Sequence, residues 1–265
     1  MMPHRALVQL RRSAAMLVGV AAIVGLGGCA AQLGSMAPSA DMLLPHSVLL
    51  KPPSLDRGSF DVSVYKGAAS DTAQRPFTKV VVSEHDVPGQ SGKAVVLSEW
   101  GPPQSRKDSL VVDPRSLQPL EERYWAHNVR YDYSFDNGSN GTRVLGTVRR
   151  ANQAPQRVNE AFIQPVFALN EVGQLVCSLD HYEAGMTEIV PVFSEMDEEL
   201  QRDTLTVLRG KTLPGHAPGW VVRWAAPATT TDYVVDASTR RIVDAVATRR
   251  DTGAETRYRY PEANG

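Results

Sequence analysis

The chain has 265 residues, with 28 Lys plus Arg against 29 Asp plus Glu and a formal net charge of −1. Hydrophobic residues make up 42% and charged residues 22%, ordinary globular values that exclude a collagenous, disordered or multi-spanning membrane chain. The balanced charge gives no electrostatic footprint for nucleic acid, and two cysteines exclude a disulfide-rich scaffold.

The N-terminus carries Arg5, Arg11 and Arg12 ahead of an apolar run from Ala14 to Gly28. A positive region followed by a hydrophobic one is the layout of a secretory signal. The run is shorter than the ~20 residues a spanning helix needs, and its glycines weaken a helix further.

The run closes on Leu26-Gly27-Gly28-Cys29. This resembles the bacterial lipobox: an aliphatic residue, two small residues, then an obligatory Cys. The resemblance implies a diacylglycerol on the Cys29 sulfur, cleavage between Gly28 and Cys29, and acylation (palmitate or a similar chain) of the new amine. Each buried methylene contributes about 0.8 kcal/mol, so several acyl chains make a lasting membrane anchor. Ala30 stands where an inner-membrane retention signal carries Asp. The resemblance therefore implies the outer membrane, with the domain facing the periplasm. Cleavage removes three arginines and no acid, leaving 25 basic against 29 acidic side chains, a net charge of −4 over 237 residues. A mildly acidic chain has no evident reason to dock on an anionic membrane. Cys177, the remaining cysteine, sits among Leu175, Val176 and Leu179 and reads as a buried thiol without a disulfide.

Three regions follow: a signal peptide (1–28), a lipidated tether (29–56) and a β domain (57–262). The tether holds Pro38, Pro45, Pro52 and Pro53, with the apolar pairs Leu43-Leu44 and Leu49-Leu50 able to pack on the domain. Beyond it, Phe60, Val62 and Val64 alternate with polar residues. Val80-Val81-Val82 and Val95-Val96-Leu97 read as two neighbouring strands, and Leu110-Val111-Val112 runs into an Asp113-Pro114 turn. Val129 to Phe135 alternates aromatic and polar residues, and the two Asn-Gly pairs of 136–141 predict a hairpin with Arg143–Arg149 returning. Trp220–Trp224, Asp232–Val235, Arg241–Thr248 and Glu255–Tyr260 are the last strands. Helical spacing predicts a short helix over 165–179, interrupted by Gly173. A Ser cap with an acidic first turn predicts one or two turns over 194–200. The fold class is mainly β: a single curved antiparallel sheet or open half-barrel with one or two short helices, because the links are too short for helical crossovers.

Asp108 to Leu120, Phe167 to Leu179 and Asp232 to Val243, ending with Gly253 and Arg257, together resemble a group of exported bacterial β-sheet proteins known only as domains of unknown function. The resemblance covers about residues 58–260. It implies a strongly curved sheet similar to the open barrels of periplasmic lipoprotein carriers, and no catalytic residues.

The chain has no Gly-x-Ser-x-Gly elbow, phosphate loop or dinucleotide fingerprint. The histidines beyond the signal are His46, His85, His127, His181 and His216, none at metal-ligand spacing. Glu84-His85-Asp86 and Asp180-His181-Tyr182-Glu183 are the densest acid–base clusters; solvated loop ends are the simpler reading. The acidic run Glu195–Glu199 reads as a solvated helix start, and the Arg pairs at 149–150, 240–241 and 249–250 as sheet-edge charges or a patch for an acidic partner or lipid headgroup. Tyr124, Trp125, Tyr131, Tyr133, Phe135, Trp220, Trp224, Tyr233, Tyr258 and Tyr260 form either the core of the sheet or an apolar groove. No catalytic residue, metal, cofactor or nucleic acid is expected. The expected function is non-enzymatic: binding an apolar ligand or an envelope protein partner at the outer membrane. A scaffold or assembly factor without a small ligand is the alternative. An envelope-polymer hydrolase working through His85 or His181 is the third reading.

Overall fold

A computed structural model describes residues 42–51, 58–66, 76–86, 93–100, 106–126, 128–195, 197–212 and 218–260. The expected signal peptide, Cys29 and the tether up to residue 41 lie outside the described residues.

The chain folds as two successive meanders. The first holds β1 (Gly58–Lys66), β2 (Pro76–Asp86), β3 (Lys93–Trp100), β4 (Arg106–Val112), β5 (Pro119–Ala126), β6 (Val129–Gly138), β7 (Gly141–Arg150) and β8 (Gln156–Phe162). The second holds β9 (Phe167–Ala168), β10 (Thr187–Ser194), β11 (Glu199–Thr212), β12 (Pro218–Ala225), β13 (Thr229–Asp236), β14 (Arg241–Arg249) and β15 (Glu255–Arg259). Antiparallel pairing of β1 with β15 fuses them into one fifteen-stranded sheet whose ends are β8 and β9. Among the described strands only β9 pairs in parallel, with β10, and the isolated Met42–Ile189 bridge is also parallel. The fold is therefore mainly β, an open curved sheet as expected.

The curvature brings the inner face of β6 against β10. Tyr133 Oη donates to the Glu195 carbonyl at 3.3 Å, and Phe193 meets the Tyr133 and Phe135 rings edge-on at centroid distances of 5.3 and 6.0 Å. Arg150 and Gln156 both donate to the Glu198 carboxylate, at 2.7 and 2.8 Å. Side chains bridge the gap between the two sheet ends, where backbone pairing stops.

Four hairpins share one turn. In 113–117, 194–198, 236–240 and 249–253 the fifth residue donates its N–H to the first carbonyl, at 2.8 or 2.9 Å. Leu117, Glu198, Arg240 and Gly253 each take a positive φ, between 55° and 66°. Asp113 and Asp236 seal their turns by accepting two further backbone N–H bonds each. The Asp113-Pro114 turn is thus as expected. The helix expected over 194–200 is overturned. Its Ser and acidic residues make a single turn, the left-handed Glu198 ends it, and β11 begins at Glu199.

The helix expected over 165–179 is also shorter. Phe167 and Ala168 pair with Val192 and Phe193, a 3-10 turn spans Leu169–Glu171, and helix α1 covers only Val172–Cys177. The Ala168 N–H bonds the Glu171 carboxylate at 2.8 Å, which fixes the helix start after the strand pairing. Strands β5, β8, β10 and β11 had no clear signal in the sequence.

Among the described residues two buried clusters line the concave face. One gathers Tyr131, Tyr133, Phe135, Val144, Val148, Val158 and Phe193. The other packs α1 and Leu43 against Leu117, Phe167 and the inner residues of β10 to β13. The segment 42–51, assigned to the tether, is part of the folded body. Met42 bridges to Ile189 and Leu50 to Leu179. Arg240 fastens it by donating to the Lys51 and Asp180 carbonyls, at 3.0 and 2.8 Å. Leu43 is fully buried, so Leu43→Ala is expected to cost about 2–5 kcal/mol, measured by urea unfolding of the domain.

Candidate functional site

Alternation along β4, β5 and β6 points one residue in two at the concave face. On β4 these are Asp108, Leu110 and Val112; on β6 they are Tyr131, Tyr133 and Phe135. The β5 position between Leu110 and Tyr133 is Glu122. A carboxyl group therefore occupies a position whose parity belongs to the core. Glu195, from the turn after β10, and Glu171, from the 3-10 turn, join it from the opposite wall.

These acids are sealed. Glu122 and Glu171 are 0% exposed, Glu195 2% and Asp108 3%. Asn170 Nδ2 donates to Glu122 Oε1 at 2.6 Å, and the Leu169 N–H donates to Glu195 Oε1 at 2.9 Å. Burial pushes the Glu122 carboxyl well above the usual carboxylate range. The negative charges of Glu195 and Asp108 and a hydrogen bond shared with Glu195 add to the rise, and the Asn170 amide opposes it. Glu171 rises for the same first reason, against the Ala168 N–H and with help from Glu195.

The remaining oxygens fit that charge state. Glu122 Oε2 and Glu171 Oε2 are buried and receive no donor. For Glu122 a protonated carboxyl fits, since its O–H can turn to the Glu195 carboxylate as acceptor. Glu122 and Glu195 then act as a pair sharing one proton, because two bare carboxylates in contact inside a core are untenable. Tyr131 lies beside the group, and burial together with Glu122, Glu195 and Asp108 holds its phenol neutral far above its ordinary range. Tyr124 stacks on Tyr131 at 4.7 Å, and Tyr131 leans on Tyr133 at 5.0 Å. The arrangement is a proton-sharing acid cluster roofed by aromatic rings. It holds protons but offers them no exposed face.

A second buried acid lies on β11. Asp203 is 0% exposed and accepts from Trp224 Nε1 at 2.8 Å. Burial raises its carboxyl to about 6, against the pull of that N–H and of Arg250.

The residues singled out in the sequence fall elsewhere. Glu84, His85 and Asp86 are consecutive residues at the end of β2, opposite Val95, Ala94 and Lys93. Asp180 is engaged by the N-terminal segment: its N–H bonds the Leu49 carbonyl at 2.7 Å, and Lys51 and Arg240 approach its carboxylate. His181 is exposed, and Tyr182 stacks on Trp220 at 6.2 Å while donating to the Val176 carbonyl. The fold therefore does not bring the two histidine clusters into one site. Cys177 is a buried free thiol, pushed up to about 12 by burial. Among the described residues no three His, Cys, Asp or Glu are grouped to hold a metal ion. The reading of Glu195 as the solvated start of a helix is corrected. The Arg pairs scatter: Arg150 binds Glu198, Arg240 the N-terminal segment, and Arg249 Asp251. The aromatics are mostly core, but Trp125 is 47% exposed on the convex side.

Neither protein-family models nor curated proteins match the chain. Among solved structures, the chain is similar to a beta-barrel-like protein of domain of unknown function DUF1849 from Brucella abortus. The identity is 12%, the TM-score 0.43, and the alignment covers 84% of this chain and 98% of that one.

Proposed function

We propose that the chain is a lipid-anchored, non-enzymatic protein of the bacterial envelope. It is held at the outer membrane through Cys29, faces the periplasm, and works through its surface as a binding or assembly factor. The observation that carries this reading is the packing of the described concave face: the aromatic ladder, α1 and the buried Leu43 lie against one another and the inner residues of β4 to β8 and β10 to β13. The shifted acids lie under that packing with at most 3% exposure, which supports a structural rather than a catalytic role.

Native mass spectrometry of the membrane-extracted protein, with affinity capture from crosslinked envelopes, tests it. The expected result is a ligand-free domain with a stoichiometric protein or membrane partner. A bound apolar molecule in stable proportion would replace this reading with ligand carriage.

A further inference from the structure

The mature chain is acidic overall, yet the antiparallel register sorts its charges. Lys107 of β4 lies opposite Trp125 of β5, Trp125 opposite Arg130 of β6, and Arg130 opposite Arg149 of β7. All four side chains are exposed on the convex face. Two residues further along the strands, Arg123 and Arg157 lie on the same face. At ~4.8 Å per strand, β4 to β7 spans about 14 Å.

Among the described residues this face carries the carboxylates Glu121, Asp132 and Asp136; Arg123 answers Glu121 and Arg130 answers Asp132, both at 3.2 Å. Such exposed pairs are weak and leave the field of the wall positive. The row needs no contribution from the core. An exposed tryptophan between cations is the composition of a membrane interface, where the ring sits at headgroup depth and basic side chains meet anionic lipid. The wall is convex, so it suits a broad surface better than a thin polymer that needs a groove.

We propose that the convex wall of β4 to β7, centred on Lys107, Trp125, Arg130 and Arg149, docks side-on to an anionic lipid surface. The proposal rests on the membrane-anchored reading only for its setting. Residues 29–41 number thirteen and reach about 45 Å when extended, more than the ~27 Å of an eight-residue strand such as β5. The anchor and the wall can therefore engage one membrane, although His46 meets the β4–β5 turn, at the other end of the strands from the row.

The test uses residues 29–265 with Cys29→Ser, so that no acyl chain contributes. Partition is measured onto phosphatidylethanolamine–phosphatidylglycerol vesicles and onto pure phosphatidylcholine vesicles. The expected result is salt-sensitive binding to the anionic vesicles alone, with a blue shift in tryptophan emission that Trp125→Phe removes. Lys107→Gln with Arg130→Gln and Arg149→Gln should weaken partition about 100-fold. Arg209→Gln with Lys211→Gln, exposed cations of β11, should leave it unchanged. No partition, equal partition by the triple variant, or binding to soluble polyglutamate without binding to vesicles would each overturn the proposal. Acylation of Cys29 in cells is scored separately by mass, so the wall can fail while the anchor stands.

Discussion

Replacing Gly141 with alanine is expected to be the most damaging single-methyl change in the described fold. Gly141 opens β7 with φ near 142°, a region closed to L side chains without strain. A Cβ there would lie 1.9 Å from the Phe162 carbonyl oxygen and 2.9 Å from the Ile163 carbonyl carbon. Both obstacles are backbone, so no side-chain rotation relieves them. The link from β8 to β9 would have to move, and it carries the Val166 N–H that bonds Thr142 Oγ1 at 3.3 Å. We expect a loss of at least about 3 kcal/mol, the range of strained or overpacked sites. Urea unfolding of the two proteins side by side measures it, and near-equal midpoints would contradict the account. Gly146 is a milder counterpart, since the Tyr133 ring lies over it and can tilt, but the Asp132 carbonyl at 2.4 Å cannot.

Stability is expected to fall as pH rises above the ordinary carboxylate range, the reverse of ordinary acid denaturation. The sign follows from proton linkage. Glu122, Glu171 and Asp203 all have folded-state acidities weaker than in the unfolded chain, so the folded protein keeps protons that the unfolded chain releases. Their stabilisation is complete below the ordinary carboxylate values and is lost as pH rises through the folded ones. For Asp203 that window runs from 3.8 to about 6. It is worth on the order of 3 kcal/mol. The two glutamates act in the same direction. Asp236 opposes the trend at the acid end. Burial alone would raise it, but bonds from Ser238 and Thr239 hold it below its usual value, so acid protonates it at a cost. The optimum thus falls in the mildly acidic range. Glu122→Gln keeps an oxygen for Asn170 and offers Glu195 an N–H in place of the shared proton. It should raise the melting temperature at pH 8 and flatten the profile, whereas Glu122→Ala strands the Asn170 amide. Thermal scans across pH decide the matter. A flat profile, or a Glu122→Gln variant less stable at pH 8, would show that Glu122 is ionised in the fold.

Sequence legibility followed the purity of the alternation. Val129–Phe135 repeats aromatic and polar residues without a break, and β6 lies where that pattern puts it. The two valine runs read as neighbours do pair, Val82 opposite Leu97. Strand β5 was hidden because Glu121-Glu122-Arg123 reads as surface, while Glu122 in fact keeps the core parity. Strand β8 was hidden because Val158 is its one fully buried position, as befits the edge of a sheet. Strand β10 contains Pro191, tolerable because the far side of that strand carries only two residues of β9 and the Met42 bridge. The acid cluster was illegible for a deeper reason. Its members come from β4, β5 and two turns, and only the curl of the sheet brings Glu195 over Glu122. The basic wall was masked in another way. A net charge sums over all faces, whereas the register sets Lys107, Trp125, Arg130 and Arg149 side by side.

The central claim is that a lipid on Cys29 fixes this domain at the outer membrane. Intact-mass analysis and membrane fractionation of the native chain beside Cys29→Ser test it most directly. The account predicts a native product that begins at a triacylated Cys29 in the outer-membrane fraction, and a Cys29→Ser product that is unacylated and leaves that fraction. A native product without acyl chains, recovered as soluble protein, would contradict it.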